Sequence, residues 1–201
     1  KFSEPAAKVI RETVSNLKAG GIIRPSKSPW RAQVLVANLD GPKPRMVVDY
    51  SRTINKFTEL DAYPLPNIES MISQLAQYTI FSTFDLRSAY HQVPILESEK
   101  SYTAFEADGG LWESNVVPFG PKNGPPAFQR VVDRIISDES LTATYAYLDN
   151  LTVGGHSQED HDRNAAGFLK AFAKYGLTLN EDKTISSVTS LKILGYLVSK
   201  G

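Results

Sequence analysis

Cysteine is absent from the 201 residues, which excludes disulfides and thiolate metal sites and suits a reducing compartment. Histidine is scarce: His156 and His161 stand five apart, on different sides of any helix, and His91 stands alone, so a histidine-held metal is not expected. Long apolar runs are missing, which excludes a membrane span, and the opening "KFSEPAAKVIRETV" lacks the apolar block of a signal peptide. Net charge is also missing, since 22 basic residues balance 22 acidic ones. The balance is uneven along the chain: residues 1–60 hold 11 Lys and Arg against 5 Asp and Glu, and residues 61–201 hold 11 against 17. Such a division fits a protein that holds phosphates with one part and cations with another, and it equally fits solvated faces. With 41% hydrophobic and 22% charged residues, the chain should be globular, with one core or two small subdomains.

What is present reads as alternating helices and hairpins. "SEPAAKVIRETVSNLKAGG" is a helix with Ser3 as its cap, Pro5 in the first turn, and a stripe of Val9, Ile10, Val14 and Leu17. "QVLVANLDGPKPRMVVDY" is a hairpin whose loop carries Lys43 and Arg45. "YPLPNIESMISQLAQY" leads through prolines into a helix with Ile68, Met71, Ile72 and Leu75 inward, and "TIFSTFDL" is a strand. A hairpin turning at Asp108, Gly109 and Gly110 follows, then a helix in "PPAFQRVVDRII" with Phe128, Val131, Val132, Ile135 and Ile136 on its apolar side. "TYAYLDNLTVGG" is a further hairpin, "HDRNAAGFLKAFAKYG" a helix, and "SLKILGYLVS" a final strand pair. This order describes an α+β fold, an antiparallel sheet packed on helices.

Chemistry gathers at two turns. Along "FSTFDL" the side chains alternate, so Phe81, Thr83 and Asp85 share one face and Ser82, Phe84 and Leu86 the other. Asp85 therefore ends a buried strand, and Asp149 sits at a hairpin tip. Either alone reads as a cap or turn former. If their strands are neighbours, two carboxylates meet at one sheet edge, where a cation must offset their repulsion. Hard oxygen ligands without His or Cys select Mg²⁺, and a pair of such ions is a clamp for phosphoryl transfer, which points to a nucleotidyl transferase.

Taken together, "FDLRSAYHQVPI", "VPFGPKNGPPAFQR", "YLDN", "GLTLNEDK" and "ILGYLVS", with "GIIRPSKSPWRAQVLV" and "PRMVVDYSRTINKFT" before them, closely resemble the reverse transcriptases of gypsy-type long-terminal-repeat retrotransposons. The resemblance covers nearly the whole chain. It implies a right-hand polymerase palm with a fingers subdomain. Residues 1–84 would hold the fingers and the first palm helix, and residues 85–201 the palm, with a fingers excursion near 96–118. Thumb, connection and ribonuclease H regions are expected to lie outside the sequence. The implied activity is RNA-directed DNA synthesis from deoxynucleoside triphosphates on a primed RNA or DNA template, inside a cytoplasmic particle.

Residue by residue, the resemblance makes Asp85 and Asp149 ligands of two Mg²⁺ ions, with Mn²⁺ able to substitute. It makes Lys183 the general acid for departing pyrophosphate. Lys43 and Arg45 would hold the triphosphate, the latter through its planar fork of donors. Tyr90 matches a steric gate that leaves no room for a 2′-hydroxyl, and Phe119 and Gly120 match the contact to sugar and templating pair. Gly195 and Tyr196 match the primer grip. The chain departs from the family at Pro121, Gly124 and Pro125, where Leu, Ala and a single proline are more usual, and at Asn150, where the family's turn carries a second Asp. Two explanations of Asn150 stand: a working enzyme in which Asn keeps the turn and offers a neutral ligand, or a weakened or domesticated domain that binds nucleic acid. A polymerase that makes RNA is disfavoured by the aromatic residue at Tyr90.

Overall fold

Helix α1, Glu4–Ala19, forms where Ala6, Ile10 and Val14 recur at helical spacing and are buried. Pro5 is in its first turn, where the missing N–H would have had no partner in any case. Ser3 holds the N-cap position through its carbonyl, which accepts from the Ala7 N–H at 2.8 Å; the expected side-chain cap does not form. The chain continues through β1 (Ile23–Pro25), β2 (Gln33–Ala37), β3 (Arg45–Asp49), α2 (Ile54–Phe57), α3 (Ile68–Leu75), β4 (Ile80–Asp85), β5 (Phe105–Ala107) and β6 (Gly110–Ser114). It ends with α4 (Gly124–Asp138), β7 (Thr144–Tyr147), β8 (Asn150–Gly155), α5 (Gln158–Lys174), β9 (Ile185–Val188), β10 (Ser190–Ile193) and β11 (Tyr196–Ser199). The computed structural model describes residues 2–200.

Two compact units are each assembled from two stretches of chain, residues 1–61 with 90–124 and residues 62–89 with 125–201. In the first, an antiparallel sheet of order β1-β6-β5 and the β2–β3 hairpin share a core of Ile10, Val14, Ile23, Ala32, Val34, Tyr50, Phe105 and Ala107. Grouping charge by unit changes the picture drawn from sequence order. The first unit carries 13 Lys and Arg against 11 Asp and Glu, and the second 9 against 11, because Glu97, Glu99, Glu106, Asp108 and Glu113 return to the basic stretch.

The second unit is a four-stranded antiparallel sheet of order β7-β8-β4-β9. Strand β4 is internal, so both of its edges are paired, and side chains pack on both of its faces. Phe84 stacks on Phe168 of α5, with ring centroids 4.6 Å apart, while Phe81 joins Met71, Leu75, Leu191, Ile193 and Val198 on the opposite side. Truncating such a buried phenylalanine to alanine typically costs about 3–5 kcal/mol. The expected α+β architecture, an antiparallel sheet packed on helices, is the one that forms.

Strand β9 was not expected, since "ISSV" has no apolar stripe. A buried hydroxyl recruits it: Ser82 Oγ accepts the Ser187 N–H at 3.0 Å and lies 2.8 Å from His161 Nε2, while His161 Nδ1 lies 3.0 Å from Asp162 Oδ1. A neutral imidazole protonated at Nδ1 satisfies every member of this chain, because the Ser82 O–H can then donate to Nε2. Gly155 makes room for it. A Cβ there would stand 2.3 Å from the His161 backbone nitrogen, so only glycine lets α5 begin against β8.

Candidate active site

Asp85 closes β4, and its direct partner across the sheet is Asn150, the first residue of β8. Leu148 and Asp149 form the two-residue turn between β7 and β8, with Tyr147 paired to Asn150. The sheet therefore brings Asp85, Asp149 and Asn150 to one end of two neighbouring strands. Asp149 and Asn150 are exposed, and Asp85 is about one-third exposed at its side chain, 31%.

Lys183 completes this end. Its ammonium lies 3.6 Å from Asp85 Oδ2. The segment that carries it is tied to the end of β4 by the Asn180 N–H on the Asp85 carbonyl at 2.8 Å and the Arg87 N–H on the Thr178 carbonyl at 3.0 Å. Glu181–Lys183 then makes one short helical turn. Backbone pairing, not side-chain packing, thus sets the reach of this exposed lysine.

The donor set suits Mg²⁺. Two carboxylates and one neutral amide oxygen are hard ligands, and Mg²⁺ takes one or two protein carboxylates and fills the rest of its shell with water and phosphate oxygens. Among the described residues no group of three His, Cys, Asp or Glu forms an all-protein cage. The residues that could hold the ion are Asp85, Asp149 and Asn150.

One contributor to this end was missed in the sequence. Gln129, on the buried face of α4, is 0% exposed; its Oε1 accepts the Leu148 N–H at 2.7 Å, and its Nε2 donates to the Ala146 carbonyl at 3.1 Å and to Asp133 Oδ1 at 2.9 Å. The available signal was slight, an uncharged polar side chain beside Phe128 and Arg130 in an amphipathic helix.

The remaining candidate residues belong to the first unit, apart from the primer-grip pair. Arg45 opens β3 opposite Ala37 and is exposed, and Lys43 lies in the loop before it, its carbonyl 3.4 Å from Asn38 Nδ2. Arg45, His91, Phe119 and Gly120 line a cavity of about 460 Å³ whose walls include Met46, Val48 and Tyr50. Tyr90 is half-buried and meets Phe119 edge to face, with centroids 4.9 Å apart at 81°. His91 approaches the same ring at 5.3 Å, and burial lowers its pKa. Gly120 has φ 111°, and a Cβ there would lie 3.1 Å from the Tyr50 ring. Tyr50 cannot yield, being buried and donating its hydroxyl to the Thr103 carbonyl at 2.9 Å.

The loop after Gly120 is anchored by two asparagines. Asn55 donates to the Gly120 carbonyl and accepts from the Lys122 N–H, both at 2.8 Å. Asn123 donates to the Glu59 carbonyl at 3.0 Å and accepts from the Asp61 N–H at 2.9 Å. Gly124 and Pro125 then open α4, where prolines need no N–H partner. Gly195 and Tyr196 lie in the second unit, at the β10–β11 hairpin, with Leu194 and Gly195 as its two-residue turn and Tyr196 43% exposed.

Comparison with known proteins gives a consistent result. Residues 40–198 match the family described as reverse transcriptase (RNA-dependent DNA polymerase). The chain is 32% identical over 197 residues to the retrovirus-related Pol polyprotein from transposon gypsy of Drosophila melanogaster, covering 95% of this chain and 19% of that one. It is 34% identical over 196 residues to the corresponding polyprotein from transposon opus of the same organism, with 94% and 19% covered. Among solved structures, it superposes on foamy viral protease-reverse transcriptase in complex with RNA/DNA hybrid with a TM-score of 0.89 at 20% identity, over 100% of this chain and 27% of that one. The same viral protein in a form bound to double-stranded DNA gives 0.88, also at 20% identity, with 100% and 35% covered. The chain therefore spans about a fifth of the curated relatives it matches.

Proposed function

This chain belongs to the reverse transcriptase family, and from that premise we propose that it catalyses RNA-directed DNA synthesis, adding deoxynucleotides from their triphosphates to a primer 3′-hydroxyl. The observation that carries the reading is the meeting of Asp85 with the Asp149–Asn150 turn at one end of adjacent strands. In this reading the palm is residues 85–201 without the fingers excursion near 96–118, and residues 1–84 hold the fingers together with α3.

Asp85 and Asp149 would hold two Mg²⁺ ions, with Mn²⁺ able to replace them and Asn150 offering a neutral oxygen. Bound there, the ions would supply charge stabilisation for an in-line displacement at phosphorus. The chain's own groups do the rest. Lys183, held beside Asp85, would act as the general acid for departing pyrophosphate. Arg45 and Lys43 would bind triphosphate oxygens, with Arg45 able to do so through paired donors. Tyr90, steadied by Phe119, would exclude a 2′-hydroxyl, and Gly120 would allow close backbone approach to the sugar. Gly195 and Tyr196 would steady the primer. The expected partner is a primed RNA or DNA template, and the expected setting is a cytoplasmic particle; no described helix is long and apolar enough to cross a membrane.

A second reading rests on Asn150. With a neutral residue opposite Asp85, the domain would bind nucleic acid and synthesise little. Primer extension on an RNA template with Mg²⁺ or Mn²⁺ decides between the two. Extension that stops when Asp85 is replaced supports the enzyme. No extension, with template-primer binding that weakens steeply with salt, supports the binding domain.

A further inference from the structure

We propose that Gln129 is a positioning residue for Asp149: its carboxamide takes the place of a neighbouring strand on the open edge of β7 and holds the Leu148–Asp149 turn in a conformation it would otherwise leave. The inference deepens the metal-binding role proposed for Asp149 and rests on it.

Leu148 has φ 54°, the left-handed region, at the first of the two turn positions. Hairpin turns of this length favour Gly, Asn or Asp at positive φ, because a side chain there crowds the backbone. Leucine has no polar group with which to compensate, so its conformation must be imposed from outside. Gln129 is the group that does so. Strand β7 is an edge of the sheet, and on its open side the Ala146 carbonyl and the Leu148 N–H point the same way, two residues apart. The Gln129 amide meets both, accepting at 2.7 Å and donating at 3.1 Å, as the N–H and C=O of one residue on an adjacent strand would.

The orientation of that amide is set by its surroundings. Nε2 donates a second hydrogen bond to Asp133 Oδ1 at 2.9 Å, and Asp133 Oδ2 accepts the Tyr63 hydroxyl at 2.6 Å. A flipped amide would turn its NH₂ on the Leu148 N–H and its oxygen on the Ala146 carbonyl and the Asp133 carboxylate. Every polar atom of a fully buried side chain is thereby used, and each bond serves to fix the turn. A buried glutamine replaceable by any apolar residue would not need this arrangement.

The test combines two measurements on the whole chain. Amide hydrogen exchange at Leu148 reads the clamp itself, and titration with Mn²⁺ reads its effect on the site. In Gln129→Met, which keeps the length of the side chain and loses its hydrogen bonds, exchange at Leu148 should quicken at least tenfold and the Mn²⁺ concentration for half-saturation should rise about tenfold. Adding Leu148→Gly, which adopts positive φ freely, should recover at least a third of the lost Mn²⁺ affinity. Should Gln129→Met not fold, Asp133→Ala serves: it removes the acceptor that orients the Gln129 amide, so exchange at Leu148 should quicken and the Mn²⁺ requirement should rise. Unchanged exchange in Gln129→Met, or weakened Mn²⁺ binding that Leu148→Gly does not restore, overturns the proposal. Wild-type protein that binds no Mn²⁺ overturns the proposed metal site instead, and the exchange data then still report whether the clamp exists.

Discussion

Asp85 and Asn150 are direct partners across β4 and β8, and the residue before Asn150 is the turn carboxylate Asp149. An acid and an amide thus share the position where two acids would repel unless a cation lay between them. Replacing Asn150 by Asp should raise the rate of primer extension, because a further carboxylate strengthens the hold on charge that develops in the transition state. One preorganised electrostatic group is commonly worth about 10²–10³ in kcat, and the gain should lie within that bound. Asp85→Asn and Asp149→Asn should each abolish extension. Single-turnover kinetics would check all three, and a slower Asn150→Asp enzyme would mean that the turn has adapted to asparagine.

Tyr90 and Phe119 meet edge to face at 4.9 Å, which fixes the tyrosine ring. Tyr90→Val or Tyr90→Ala should therefore raise ribonucleotide incorporation relative to deoxynucleotide, by an order of magnitude or more. Competition between the two triphosphates measures it. An unchanged ratio in an active variant would assign Tyr90 to packing alone.

Arg24, with Lys100 adding to it, holds the Glu97 carboxyl at about 2, below its ordinary 4.5. A folded-state value below the unfolded one means that the pairing stabilises fully above the unfolded value and is lost as pH falls toward the folded one. Glu97→Gln should then flatten the melting-temperature profile between roughly pH 5 and pH 2 relative to wild type, since that is the window in which a depressed carboxylate titrates. Glu97 is exposed, so added salt should shrink the difference. Parallel profiles for the two proteins would contradict the pairing.

Gly155→Ala would set a methyl carbon 2.3 Å from the His161 backbone nitrogen and force α5 away from β8. The cost should be about 1–3 kcal/mol or more, as for other forced insertions into a packed core. Gly167→Ala, further along the same helix, meets nothing closer than a Leu141 methyl at 3.9 Å and should stabilise by about 0.5–1 kcal/mol through helix propensity. Urea unfolding of the pair checks both signs.

Alternation along "FSTFDL" was enough to give the two faces of β4 and to put Asp85 at its end, because a strand's period of two survives any context. The β7–β8 hairpin was equally legible, from a β-rich run around a turn. Strand β9 was not, since its pairing depends on a buried serine hydroxyl more than a hundred residues earlier in the chain. Gln129 was hidden for a related reason. In sequence it reads as one more polar residue of an amphipathic helix, beside Arg130, and its meaning appears only when the strained turn it meets is known. Charge misled through topology, as the acidic segment that balances the N-terminal stretch lies beyond β4.

The interleaving of the two units governs how the protein can be made. Ile23 of β1 finds its partner Ser114 roughly 90 residues later, and Asp85 waits 65 residues for Asn150. A chain emerging from the ribosome in order completes neither sheet until its later stretches arrive, so the early strands must pass through synthesis with unpaired edges. Such long-range closure slows folding and leaves time for wrong pairings. Nor can a single cut separate the two units, since a fragment that keeps both stretches of one always carries a stretch of the other with it. Fragments meant to isolate one half would have to be rejoined by a designed linker, and the two halves are bound to be inherited, expressed and lost together.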